Sequence, residues 1–149
     1  MLSTLGHAVS RRFMNALQPL ELHPREFAVL RAVMANDGQS QQSLAERLHI
    51  PPSRMVAIVD ELESRGLIER RPSPEDRRVR TLYVTKRGQN LLEDAFALAV
   101  EHEQSISSAL SAKERAELLV LLNRIAGHLG LPGDAHSALR SGNMRPDKK

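Results

Sequence analysis

Apolar residues recur at three- and four-residue steps along most of this chain, and the rhythm breaks where proline or glycine stands. Leu2, Leu5, Val9, Phe13, Ala16 and Leu17 predict a first helix with one apolar face, ended by Pro19. Pro24 suits a first helical turn, and Phe27, Leu30, Val33 and Met34 carry a second helix as far as Asn36-Asp37-Gly38. Ser40 caps a short third helix whose inner side is Leu44, Ala45 and Leu48. After Pro51, a fourth helix starts on Pro52, buries Met55, Ile58, Val59 and Leu62, and stops at Gly66.

Beyond Gly66 the period changes. Leu67-Ile68 and Thr81-Leu82-Tyr83-Val84 have strand character, and Pro72-Ser73-Pro74-Glu75-Asp76 reads as the tip of a long hairpin. Thr85 then caps a fifth helix carrying Leu92, Ala95, Phe96, Ala99, Ile106 and Leu110, a stripe that Glu103 interrupts. Ser111-Ala112-Lys113-Glu114 is a capping box that opens a sixth helix, in which Leu118, Leu122, Ile125 and Leu129 form a narrow seam. Gly130 and Pro132 close it. The pattern predicts a mainly α fold with one small β-hairpin (α+β): three short helices and a basic hairpin form a winged helix-turn-helix, with longer helices flanking it.

Composition narrows the function. At 149 residues the chain suits one domain, and 41% apolar with 26% charged residues suits a folded globular chain. Aromatics make up only 3%, too few for a broad platform on which single-stranded bases stack. Cysteine is absent, which excludes disulfides, thiolate metal sites and thiol-based redox sensing. The longest apolar run, Ala95 to Val100, is far below the ~20 residues of a spanning helix. No charged-then-apolar leader opens the sequence, so the expected location is cytoplasmic with no membrane partner. Nucleophile-elbow, phosphate-loop and dinucleotide-loop motifs are missing, which argues against an enzyme, and no cofactor is expected. Six scattered histidines show no helical metal pair, so no metal site is assigned.

Charge is placed unevenly. Arg65 to Arg87 hold eight basic residues against three acidic ones, a net +5 in a chain whose total is +3, and 17 of the 21 basic residues are arginine. A polyanion partner follows, because the arginine fork matches phosphate and guanine.

Leu44-Ala45-Glu46-Arg47-Leu48, Val59-Asp60-Glu61-Leu62-Glu63, Arg65-Gly66-Leu67-Ile68, Asp76-Arg77-Arg78 and Val84-Thr85-Lys86-Arg87-Gly88 resemble the MarR family of bacterial transcriptional regulators. The likeness runs from about Phe13 to Leu129, and the most telling part is Asp-Arg-Arg followed by apolar-Thr-x-x-Gly. It implies a dimeric, effector-responsive binder of double-stranded DNA, usually a repressor. The corresponding division is a dimerisation helix at 1–18, a DNA-binding domain at 24–85, dimerisation helices at 86–130 and a flexible tail at 131–149.

The resemblance and the helical wheel together nominate residues. On the fourth helix Ser53, Arg54, Val56 and Ala57 lie on the outer side, where Val56 and Ala57 can touch thymine methyls without hydrogen bonding to base edges. The resemblance matches Asp76 to an acid that orients the minor-groove arginine, here Arg78. Arg70, Arg71, Arg77 and Arg80 are expected phosphate contacts, with Gln41 and Gln42 in a similar role. A two-fold dimer would cover Leu2, Leu5 and Val9 together with Leu118, Leu122, Ile125 and Leu129, and would read a pseudo-palindromic operator. Family pockets often take small aromatic or phenolic acids, and Phe13, His23 and Phe27 sit in the matching elements. The alternatives are a zinc-responsive repressor of the same fold and a winged helix used as a protein-binding adaptor; a basic wing argues against the adaptor.

Overall fold

The computed structural model describes residues 1–130. Its elements are α1 (Leu2–Leu17), α2 (Pro24–Ala35), α3 (Gln41–Arg47), α4 (Pro52–Ser64), β1 (Ile68–Pro72), β2 (Arg80–Val84), α5 (Lys86–Ile106) and α6 (Ala112–His128). The expected mainly helical winged fold is the one observed. The contacts divide the chain into two units, Met1–His102 and one beginning at Glu103. The tail expected at 131–149 lies outside the described residues. No described helix is long and apolar enough to cross a membrane.

In the first unit, Phe27, Val29, Leu30 and Val33 of α2 are buried, as are Leu44 and Ala45 of α3 and Met55, Val59 and Leu62 of α4, whereas Ile58, expected inside, is half-buried. Complete burial of such a side chain contributes roughly 1.5–3 kcal/mol, so these three short helices are held by their shared core more than by their own propensities. Gly66 ends α4 at φ +68. Its N–H donates to the Glu63 carbonyl (2.8 Å) and the Leu67 N–H to the Leu62 carbonyl (2.9 Å), the paired bonds of a Schellman stop.

The strands pair antiparallel with Ile68 opposite Val84 and Pro72 opposite Arg80. A proline is tolerated at that strand end, so β1 runs through Pro72 and the apex moves to Asp76–Val79, beyond the Pro72–Asp76 tip expected from composition. The hairpin also gains a neighbour that local patterning does not reveal. The Gly38 N–H donates to the Leu82 carbonyl and the Leu82 N–H to the Gln39 carbonyl (both 3.0 Å), and Ser40 bridges to Thr81.

Thr85 and Gly88 fasten the hairpin to α5. The Thr85 hydroxyl donates to the Gly66 carbonyl (2.7 Å) and accepts from the Gly88 N–H (3.0 Å). A Cβ on Gly88 would lie 2.1 Å from the Leu67 carbonyl oxygen and 2.8 Å from a Val84 methyl. Gly88→Ala must therefore push the start of α5 away from β1, at an expected cost of about 1–3 kcal/mol. Urea unfolding checks this: the midpoint should fall, and an unchanged midpoint would mean that the close approach does not matter.

The fifth helix ends at Ile106, short of the expected Leu110. The Ser107 and Ser108 hydroxyls donate to the Glu103 and Ser105 carbonyls (2.7 and 2.9 Å), local bonds that let serine compete with helix continuation. In the second unit Ser111 and Glu114 form the expected capping box. The Ser111 hydroxyl, and after it the Ser111 N–H, holds the Glu114 carboxyl below the usual carboxylate range.

Candidate nucleic-acid interface

Helix α4 has one buried and one open face. Met55, Val59 and Leu62 are fully buried, while Ser53, Arg54, Val56, Ala57 and Asp60 are exposed, Val56 by 43%. A valine left open beside Ala57, on a helix whose Met55, Val59 and Leu62 are inside, is available for contact. Gln41 and Gln42 of α3 line, with Pro52 and Val56, a groove of about 630 Å³ between α3 and the start of α4. Of the expected contact residues, Gln41, Gln42 and Val56 therefore share one groove, while Arg54 lines a second one with Arg25 and His49.

At the wing apex, the Asp76 carbonyl accepts from the Val79 N–H (2.9 Å), closing a four-residue turn with Arg77 and Arg78 at its corner. The Asp76 side chain accepts from the backbone N–H of Arg78 (2.9 Å). This is the local bond that makes aspartate a favoured first residue of such turns, and it acts on the Arg78 backbone, not on its guanidinium. A further bond, Ser73 N–H to the Val79 carbonyl (2.9 Å), closes the loop at its base.

The arginines between 65 and 87 fall into two groups. Arg65 pairs with Glu26 (3.5 Å) and also donates to the Leu20 carbonyl (3.4 Å). Arg70 is held by Asp60 and Glu63 of α4 and donates through Nε to Gln41 of α3 (3.2 Å). Arg71 pairs with Glu69, and its guanidinium lies over the Tyr83 ring, 4.3 Å from the centroid. In contrast, Arg77, Arg78 and Arg80 are exposed and make no ion pair among the described residues. Lys86 and Arg87 at the start of α5 are exposed and without an ion pair among the described residues as well, so the unpaired charge of residues 65 to 87 lies at the apex and at the foot of the hairpin.

The three phenylalanines gather elsewhere in the first unit. Phe13 meets Phe27 edge-on (centroids 5.8 Å), and Phe27 meets Phe96 in the same way (5.5 Å). His102 lies tilted on Phe13 at 5.3 Å, and its Nε2 is buried without a hydrogen-bond partner. His23 has a different task. It is the exposed N-cap of α2, its Nδ1 accepting from the Arg25 N–H (3.3 Å) while its own N–H donates to Glu26 (2.8 Å). The three-residue step from Ala99 places His102 on the buried stripe of α5. Among the described residues no three His, Asp or Glu side chains gather where a metal ion could sit.

Exposed apolar side chains mark α1 and α6 separately. On α1 Leu2 and Leu5 are exposed and Val9 is half-buried. On α6 Leu118, Leu122, Ile125 and Leu129 are exposed, and so are Leu121, which widens the expected seam, and Val120 on the far side.

Comparison with known proteins agrees with this geometry. The model of the MarR family matches residues 20–79. A transcriptional regulatory protein for the hcr operon of Thauera aromatica is 34% identical over 119 residues, covering 79% of this chain and 72% of that protein. The HTH-type transcriptional regulator MhqR of Bacillus subtilis is 32% identical, covering 70% of this chain and 72% of its own. Among solved structures, the transcriptional repressor CouR bound to a 23-mer DNA duplex superposes with a TM-score of 0.78 at 36% identity, covering 84% of this chain and 89% of that one. A MarR variant from E.coli complexed with operator DNA gives 0.75 at 25% identity, covering 83% and 89%. With the winged-helix fold, the open α4 face and relatives that are regulators, not enzymes, this chain belongs to the MarR family of transcriptional regulators.

Proposed function

We propose that the chain is a cytoplasmic, dimeric regulator that binds double-stranded DNA, a repressor that leaves its operator when a small aromatic or phenolic effector binds. The observation that carries the DNA reading is the wing apex, where a turn fixed by Asp76 displays Arg77 and Arg78 with no acid paired to either guanidinium among the described residues. The open face of α4 offers Ser53 and Arg54 as polar contacts and Val56 and Ala57 as methyl contacts. The DNA complexes of CouR and the MarR variant support the same use of the fold. A two-fold dimer places two such helices on one face of a duplex, so the half-sites of a pseudo-palindrome should lie about 10 base pairs apart.

The Phe13, Phe27 and Phe96 cluster with the unpartnered His102 Nε2 supports the effector part: phenyl faces suit an aromatic ring and the nitrogen suits one polar substituent. Titrating the chain onto duplex DNA over a range of salt tests the reading. Affinity should fall steeply, with a log–log slope near −0.9 for every phosphate neutralised. A phenolic acid from a screened panel should then dissociate the complex. A flat salt response would contradict DNA binding, and a complex indifferent to every member of the panel would contradict the effector class.

A further inference from the structure

Arg70 belongs to the basic segment by sequence, yet its surroundings are those of a half-buried clamp. Its side chain is 18% exposed, with one arm of the guanidinium on Asp60, the other on Glu63 and the Nε–H on Gln41 (3.2 Å). Its backbone N–H donates to Glu63 as well (3.0 Å). One residue of the hairpin is thus tied to both helices of the helix-turn-helix. The fork geometry of arginine allows this, since its N–H groups diverge in one plane toward separate acceptors.

Asp60 gives the clamp its bearing on DNA. It sits on the open side of α4 and remains 60% exposed although it is paired. Without Arg70, Asp60 and Glu63 (39% exposed) would be two uncompensated carboxylates on α4, the helix placed against DNA in the proposed function. For Arg70 to reach a phosphate, its two charge-assisted pairs would have to break at once.

We propose that Arg70 is a positioning residue: it sets the wing against α4 and neutralises Asp60 and Glu63, and it touches no phosphate. The inference rests on the DNA-binding reading, and a double-mutant cycle with a salt series separates the two. The probe is a 30-base-pair duplex selected from a randomised library on the wild-type chain, read by fluorescence anisotropy. If no duplex is selected or bound by the wild type, the DNA-binding reading itself falls, and this inference falls with it.

Given wild-type binding, Arg70→Ala should weaken it roughly tenfold or more while leaving the salt slope at the wild-type value, since no phosphate contact is lost. Arg80→Ala, the comparison, should make the slope shallower by about 0.9 for every phosphate released. Glu63→Gln gives the sign. In the wild-type background it should weaken binding by opening the clamp, although it removes a negative charge; in the Arg70→Ala background it should tighten binding. Arg70→Lys keeps one charge without the fork and should fall between wild type and Arg70→Ala with an unchanged slope. Thermal melts identify variants that do not fold, and should Arg70→Ala be one, Glu63→Gln and Arg70→Lys decide alone. A slope reduced by Arg70→Ala or Arg70→Lys, or tighter binding by Glu63→Gln in the wild-type background, would overturn the proposal.

Discussion

Replacing Leu122 and Ile125 together with glutamate should turn the chain into a monomer and lower its affinity for an operator duplex by roughly 10² or more, the avidity that joining two binding modules supplies. The reason lies in α6 itself, which has no buried residue in the isolated chain although Leu118, Leu121, Leu122, Ile125 and Leu129 share one broad face. Apolar area of that kind stays in water unless a second surface covers it, and a two-fold partner supplies the same helix. Two carboxylates at the centre of the face would have to be desolvated without partners. Sizing with light scattering gives the state directly, and a wild-type monomer at micromolar concentration would contradict the account. The first unit carries the winged helix, so the variant should keep its fold while losing bivalency.

Arg78→Ala should have the next largest effect, about 1–3 kcal/mol for each lost specific contact and so twice that in a dimer. Arg78 stands at the corner of the apex turn, exposed, with its backbone fixed by Asp76 and its guanidinium without an ion pair among the described residues. Such a group gives up no internal partner when it enters a narrow, electronegative minor groove. Arg71→Ala should cost less, because Arg71 already pairs with Glu69 and lies over Tyr83. Equal binding by Arg78→Ala and wild type on one duplex at fixed salt would remove the wing from the mechanism.

What the sequence makes legible here is mostly local. The Pro52 start and Gly66 stop of α4, the Ser111 box and the buried set Met55, Val59 and Leu62 follow from neighbours within about four residues, the range over which helical periodicity and capping act. The Thr85-x-x-Gly88 signature is visible as a family pattern, but its cause is the approach of α5 to the Leu67 carbonyl, which is set by packing. Arg70 shows the same limit in the site. Charge counting places it with the phosphate contacts, whereas its acceptors lie 7, 10 and 29 positions away on two helices. The cap bonds of His23 are invisible in its residue type, and His102 reads as one of six scattered histidines although it stands on the buried stripe of α5. In each case the deciding partner is remote in sequence or is the backbone itself, and neither appears in a pattern of residue types.

In the proposed function Asp76 builds the apex that presents Arg77 and Arg78 to DNA, and the wing depends on this turn more than on its charge total. Comparing Asp76→Asn and Asp76→Ala with wild type by fluorescence anisotropy on one duplex at fixed salt tests it. Asparagine keeps a side-chain oxygen for the Arg78 N–H, the bond now 2.9 Å long, and removes the negative charge; alanine removes both. Charge alone has both variants binding more tightly than wild type. The turn account has Asp76→Asn binding at least as tightly as wild type and Asp76→Ala binding more weakly. Equal tightening by both variants would contradict it.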